Sequence, residues 1–339
     1  MAFALPVLAQ EQPSAVVVAE RTSPRSVRIS VTDRCDMACL YCRPSLKDGY
    51  VPAEDRLDVE AWEKLVRALV AQGVRRVRIT GGEPLLFREV VEVVRRIRAL
   101  GVEDLALTTN ASRLAALARP LREAGLARIN VSLDSLDAAR FRWITRGGAL
   151  DEVIEGIDAA LAVGFDEVKT NTVVLRGQNE DELERITRWA WDRGITPRFI
   201  EVMGVGEGAK LFRTDIVGYR AMREALAHLL TDERAEVQSD RGPAKYVRSR
   251  DLRHRVGFIT GTTETFCDGC DRLRASSTGV LRACLSKNDG VDVSDAARAG
   301  DDQAVAQGLS DAWAMKPDGH WKGCTERTAT AVNMRATGG

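Results

Sequence analysis

Two hydrophobic rhythms alternate along most of the chain. Short β-branched, apolar runs at 27–31, 74–80, 104–110, 127–134, 167–175 and 197–203 predict strands. Between and after them, apolar residues recur at helical spacing near 58–72, 87–100, 113–125, 149–164, 179–193 and 215–230. Asp58 reads as the N-cap of the first of these helices and Gly73 as its C-cap. Strand alternating with helix implies a parallel sheet with right-handed crossovers, and six such units predict an incomplete (βα)6 barrel rather than a closed eight-stranded one. The pattern changes in the last third: 240–242 and 248–255 are polar and turn-rich, and the strands that follow pair as hairpins. The expected organisation is a flexible extension over 1–22, a partial barrel over 23–230 and a second domain over 231–339.

Composition narrows the class without changing this picture. A chain of 339 residues, 45% hydrophobic and 29% charged, buries a large core and is not a disordered, collagen-like or disulfide-stapled protein. Its 49 basic residues balance 49 acidic ones, so nothing in the total charge calls for a nucleic acid or an acidic membrane. The longest apolar stretches, 3–9 and 15–19, fall far short of the roughly 18 residues a membrane helix needs, and a cytoplasmic location is expected. Seven cysteines are too sparse and too clustered for a disulfide framework; in a reducing compartment they read as metal ligands.

Six of the seven fall into two trios. Cys35, Cys39 and Cys42 follow the first strand as Cys-x3-Cys-x2-Cys. Three thiolates this close can converge on one iron–sulfur cube and leave one iron without a protein ligand, open to chemistry. At the end of the second strand stands Thr80-Gly81-Gly82-Glu83-Pro84, whose glycines permit close backbone approach and whose Glu83 can hold an ammonium. The second trio, Cys267-x2-Cys270-x13-Cys284, leaves a zinc site open on spacing alone, with Cys324, His254 or His320 as a fourth ligand. Between its members the sequence reads as a hairpin with Ser277-Thr278-Gly279 as the loop, pairing Ser276 with Val280, Arg274 with Arg282 and Arg272 with Cys284. That register gathers Arg272, Arg274 and Arg282 beside a metal site, an arrangement that a multiply charged phosphate would relieve.

The first cysteine segment, from Val31-Thr32-Asp33-Arg34-Cys35 through Cys39-Leu40-Tyr41-Cys42, resembles the signature of radical S-adenosylmethionine (SAM) enzymes. Together with Cys-Asp-Gly-Cys-Asp-Arg-Leu-Arg at 267–274 and the Gly338-Gly339 terminus, it resembles the GTP 3′,8-cyclase family of molybdenum cofactor biosynthesis, also called molybdenum cofactor biosynthesis protein A, from about Arg25 to the last residue. The resemblance implies two [4Fe-4S] clusters with three cysteine ligands each, one on Cys35, Cys39 and Cys42 and one on Cys267, Cys270 and Cys284. The first would bind SAM and yield a 5′-deoxyadenosyl radical. The second would hold the purine of GTP while that radical takes the ribose C3′ hydrogen and the ring closes to (8S)-3′,8-cyclo-7,8-dihydroguanosine 5′-triphosphate.

Carried over by motif, the SAM contacts are Tyr41, Gly82, Glu83, Ser132 and Met203. The GTP contacts are Arg28, Arg78, Thr109, Lys169, Arg272, Leu273, Arg274, Gly338 and Gly339, with Arg274 counted beside the first trio as catalytic. The resemblance further implies an electron donor such as flavodoxin or ferredoxin and delivery of the product to cyclic pyranopterin monophosphate synthase, and it is compatible with a homodimer. Cys324 is expected to be a bystander, and His228, His254 and His320 to be structural. The competing readings are a radical SAM enzyme that modifies peptides with an auxiliary cluster, and a zinc-stabilised nucleic-acid-binding module.

Overall fold

A computed structural model of the chain describes residues 23–43, 45, 49–211, 214–234, 242–264, 266–267, 269–317 and 334. The expected N-terminal extension, His320, Cys324 and the Gly338-Gly339 pair lie outside the described residues.

Six strands build the first part: β1 (Ser26–Ser30), β2 (Arg76–Thr80), β3 (Asp104–Thr109), β4 (Arg128–Ser132), β5 (Glu167–Val174) and β6 (Thr196–Glu201). Each pairs in parallel with the next. Alternation gives every strand two faces. Val27, Ile29, Val77, Ile79, Leu105, Leu107, Ile129 and Val131 enter one continuous hydrophobic core under the helices. Their neighbours Arg28, Arg78, Thr108 and Ser132 turn into the barrel.

The helices close the outside: α1 (Val59–Ala71), α2 (Val90–Ala99), α3 (Leu114–Glu123), α4 (Ala138–Thr145), α5 (Leu150–Val163), α6 (Leu183–Trp191), α7 (Gly208–Leu211) and α8 (Tyr219–Ala225). Asp58 caps α1 as expected, its carboxylate accepting from Ala61 N at 2.8 Å. The C-cap is Gln72 rather than Gly73; Gly73 follows it at φ 99°, where the chain leaves the helix. Trp62, Leu65 and Leu69 of α1 are fully buried, each contributing about 1.5–3 kcal/mol. Among the described residues no helix is long and apolar enough to cross a membrane.

The last third extends the same sheet at both edges. It contributes β7 (Leu230–Arg234), β8 (Lys245–Ser249), β9 (Arg255–Ile259), β10 (Arg272–Ala275), β11 (Val280–Arg282) and β12 (Val291–Asp292). The order is β12-β11-β10-β1-β2-β3-β4-β5-β6-β9-β8-β7. Strand β10 lies parallel to β1 on one edge and β9 parallel to β6 on the other; beyond them both edges continue antiparallel. Two of the three pairs read from the sequence are present, with Arg274 opposite Arg282 and Ser276 N bonded to Val280 O at 2.9 Å; β11 ends at Arg282, and Cys284 is not paired with Arg272.

Four helices escaped the sequence reading, the short α7 among them. Helix α4 interrupts the expected β4–α5 connection. Helices α9 (Ser294–Ala299) and α10 (Asp302–Ala314) pack near α1, where Lys64 donates to Arg298 O and Arg67 pairs with Asp302.

Candidate active site

The first cysteine loop continues β1 past the end of the sheet and is fixed on both sides. On one side Gly82 N donates to Thr32 O and Glu83 N to Arg34 O, both at 2.7 Å. A Cβ at Gly81 would stand 2.5 Å from Thr32 O, and one at Gly82 2.3 Å from Arg34 O, so the double glycine is required for the loop to lie this close. On the other side Ala38 N and Leu40 N donate to Thr145 O and Ile144 O at the end of α4, each at 3.0 Å. Asp36, between the first two cysteines, accepts from Asn110 Nδ2 and Ser112 Oγ at 2.7 Å, tying the loop to the β3–α3 turn. The Arg43 guanidinium fills the loop from within, donating to Ser45 O, Tyr50 Oη and, at 3.4 Å, Cys35 O.

Carboxylates surround this trio. Burial, reinforced by Glu83 and Asp36, pushes the Cys35 thiol up to about 12. Burial and then Asp134 raise Cys39 well above the usual thiol range, and the neighbouring thiols Cys42 and Cys35 add to it. Without metal, Cys35 and Cys39 are therefore protonated, and a bound cluster would have to supply the charge that makes them ligands. Glu83 accepts from Leu85 N, Thr109 Oγ1 and Asn110 N, while burial lifts its carboxyl to about 7. Tyr41 Oη donates to Asp134 at 2.6 Å, and burial holds Asp134 at about 6.

The second trio has the opposite surroundings. The Arg272 guanidinium grips Cys270 Sγ with two contacts of 3.3 Å and rests on the Phe266 ring. Burial raises the Cys270 thiol, but Arg272 and Lys316 outweigh it and leave the group at about 7. Cys284 Sγ lies 3.2 Å from Ser286 Oγ. Among the described residues no three Cys, His, Asp or Glu side chains gather as ligands of a single ion. A four-iron cube takes its thiolates on separate irons, and two sets of three cysteines on facing segments fit that chemistry.

A cavity of about 270 Å³ lies against the second trio and reaches Tyr41 of the first cysteine loop. Tyr41, Ser132 and Met203 line it toward the first loop, and Cys267, Cys270 and Cys284 toward the second. Arg28, Arg76, Arg78, Arg198, Arg272 and Arg274 line it, Arg76 already paired with Asp271. These guanidiniums depress one another. Burial, then Arg274, Arg78, Arg272 and Arg198, hold Arg28 well below its usual range. Arg78 is brought to about 9 by burial and then Arg198, and Arg274 to about 10 by burial and then Arg272. Among the described residues neither Arg28 nor Arg78 is ion-paired with a carboxylate. Arginine does not give up its proton in proteins, so the depression reflects first the cost of burying these charges and then their mutual repulsion, both of which an anion in the cavity would offset.

Several residues named from the sequence stand elsewhere. Thr109 is buried with its hydroxyl committed to Glu83 and Ala111 N, and Thr108 lines the cavity in its place. Leu273 faces the opposite side of β10 from Arg272 and Arg274 and belongs to the hydrophobic core. Lys169 pairs with Glu167 at 2.7 Å and lines a smaller adjoining cavity of about 30 Å³, which shares Arg198 with the main one. Arg282 does not line the main cavity although it pairs with Arg274. Gly82 and Glu83 brace the cysteine loop and do not line the cavity. Gly338 and Gly339 lie outside the described residues; Met334, just before them, lines the cavity.

Sequence reasoning missed Asp134, Asn171, Arg198 and Lys316. The signal for Arg198 and Asn171 was present in the inward alternation of β5 and β6. For Lys316 there was none.

Comparison with known proteins accounts for both halves. A model of the radical SAM superfamily matches residues 29–190, and one described as Molybdenum Cofactor Synthesis C matches 195–322, which favours neither the peptide-modifying nor the nucleic-acid reading. The GTP 3′,8-cyclase of Paracoccus denitrificans is 43% identical over 299 residues, covering 87% of this chain and 86% of that protein. The GTP 3′,8-cyclase of Sinorhizobium medicae is 42% identical over 323 residues, covering 92% and 91%. Among solved structures, Streptococcus suis SuiB bound to S-adenosylmethionine superposes with a TM-score of 0.64 at 15% identity, over 91% of this chain and 72% of that one, a likeness of fold. An open parallel barrel with a three-cysteine loop, joined to a second cysteine trio across an arginine-lined cavity, and this degree of identity along nearly the whole chain, place the protein in the GTP 3′,8-cyclase family of radical SAM proteins.

Proposed function

We propose that this chain converts GTP to (8S)-3′,8-cyclo-7,8-dihydroguanosine 5′-triphosphate in molybdenum cofactor biosynthesis, with Cys35, Cys39 and Cys42 holding the SAM-binding [4Fe-4S] cluster and Cys267, Cys270 and Cys284 holding a second. The observation that carries the reading is the cavity lined by Tyr41 of the first cysteine loop at one end, by Cys267, Cys270 and Cys284 at the other, and by six arginines, of which Arg76 is already paired with Asp271. When bound, the clusters and SAM supply a 5′-deoxyadenosyl radical able to take the ribose C3′ hydrogen, and an open iron able to hold the purine.

The chain's own residues do the rest. Arg28, Arg78, Arg198 and Arg274 hold the triphosphate; it converts their mutual repulsion into attraction, and guanidinium forks match phosphate oxygens in pairs. Lys169 in the adjoining recess extends the same cationic track. Arg272, already seated on Cys270, ties the nucleotide end to the second trio. The Tyr41–Asp134 hydrogen bond fixes the phenol at the SAM end, and Asp134 and Glu83 place negative charge where SAM brings a sulfonium and an ammonium. Val202, Ile200, Ile259 and Leu285 in the lining keep the chamber apolar between its charged ends, which protects a carbon radical from water. Hydrogen-atom transfer needs no general base, so the scarcity of histidines is consistent with this chemistry. In this reading residues 23–230 supply the SAM side and 231–339 the second cluster, Gly338-Gly339 reaches the substrate, flavodoxin or ferredoxin delivers the electron, and cyclic pyranopterin monophosphate synthase receives the product.

The test is an anaerobic assay of reconstituted protein with reductant, SAM and GTP. The expected result is GTP-dependent formation of 5′-deoxyadenosine together with a nucleotide that acid or the following enzyme converts to a pterin. Deoxyadenosine formed without any cyclised nucleotide would reject the substrate assignment.

A further inference from the structure

Lys316 lies two residues beyond the end of α10 and outside both cysteine motifs. Its Nζ donates to Arg272 O at 2.8 Å and to Ala283 O at 2.9 Å. Those carbonyls belong to opposite arms of the hairpin that carries the second trio: Arg272 opens β10 two residues after Cys270, and Ala283 follows β11 directly before Cys284. The remaining donor of the ammonium faces the Cys270 thiol, and the Trp313 ring lies 4.5 Å from Nζ. An ammonium has three donors, and each here meets a partner on or beside the cysteine segments. Lys316 does not line the cavity, unlike Arg272 and Arg274, so its charge is directed at the thiols rather than at a ligand. Burial pulls the ammonium down, and Cys270 and Cys284 partly restore it.

Resting on the reading that Cys267, Cys270 and Cys284 hold a cluster, we propose that Lys316 is a positioning residue for that cluster, tethering the two hairpin arms so that Cys270 and Cys284 meet it together and making its reduction easier through a fixed positive charge. An added electron makes a thiolate-bound cluster more negative, and a nearby cation in a poorly solvated site favours that state. At the first trio the charged groups that act on the Cys35 and Cys39 thiols are carboxylates, Asp36, Glu83 and Asp134, and the Arg43 guanidinium in that loop is directed at carbonyl and hydroxyl oxygens.

The experiment is a potentiometric titration, followed by electron paramagnetic resonance, of the full-length protein reconstituted with both clusters, with GTP added to identify the second one by its perturbed signal. Lys316→Gln is expected to lower the reduction equilibrium constant of the GTP-sensitive cluster about tenfold, a shift of about 59 mV to the negative, and to leave the other cluster in place. Lys316→Arg, which keeps the charge and the donors, is expected to restore most of it. If Lys316→Gln instead takes up only about half the iron while Lys316→Arg takes up the full complement, the tethering role is supported directly. A Lys316→Gln protein with full iron and an unchanged potential overturns the proposal, as does a defect that Lys316→Arg fails to rescue. Wild-type protein holding only about four irons would reject the functional reading, and the proposal with it, before any variant is made.

Discussion

The two cysteine trios share a donor set and differ in nearly everything around it. The first trio sits among Asp36, Glu83 and Asp134, and the Cys35 and Cys39 thiols are pushed up. Cys270 sits under Arg272 and Lys316 and is drawn down to about 7. In the proposed reading the contrast matches the ligands: SAM would bring a sulfonium and an ammonium to the first trio, and GTP a polyanion to the second. Three thiolates would leave an iron open in either place, and the neighbouring charges would decide which small molecule completes it.

The comparison breaks most completely at the thiols. Cys39→Ser should halve the iron content and abolish 5′-deoxyadenosine, whereas Cys270→Ser should also halve the iron yet retain SAM cleavage while losing the cyclised product; iron analysis and chromatography of the nucleosides check both. Next in size, Arg274→Ala removes a charge-assisted contact worth about 1.5–3 kcal/mol, or about 10–100-fold in GTP affinity, with SAM binding unchanged. Calorimetric titration with each ligand tests this, and equal losses for both would erase the distinction between the two ends. Tyr41→Phe should act in the other direction, weakening SAM about fivefold through the lost bond to Asp134 while sparing GTP.

The smallest effect concerns the metal-free protein and pH. Glu83 and Asp134 have carboxyls raised by burial to about 7 and about 6, so the folded chain binds protons that the unfolded chain releases. Their contribution to stability is fully present below the ordinary carboxylate range and is lost as pH rises through about 6 to 7. Urea midpoints of apo-protein should fall across that interval, and a midpoint rising there would contradict the assigned environment.

The barrel was legible because each of its strands carries a β-branched alternation and each of its larger helices an apolar stripe. The hairpin register was legible for a related reason: Ser277-Thr278-Gly279 fixes the loop, and pairing follows two residues at a time. What stayed hidden is non-local. Nothing near Arg272–Ala275 announces that β10 joins the edge of β1, or that β9 joins β6. Helix α4, with Arg140, Arg142 and Trp143 facing outward among a few buried residues, has a weak stripe, yet it braces the first loop. At the site, the cysteines and Arg274 were readable from motif spacing. The commitment of Thr109 to Glu83 and the burial of Leu273 were not, since each depends on which face of a strand meets the cavity. Lys316 reaches the second trio from an element whose position depends on packing near α1.

The most direct test of the two-ended account is electron paramagnetic resonance of the reduced, fully reconstituted protein with SAM and GTP added separately. The account predicts two cluster signals, one perturbed by SAM alone and lost with Cys39→Ser, the other perturbed by GTP alone and lost with Cys270→Ser. A single signal that responds to both molecules, or a second trio that takes up zinc and no sulfide, would contradict it.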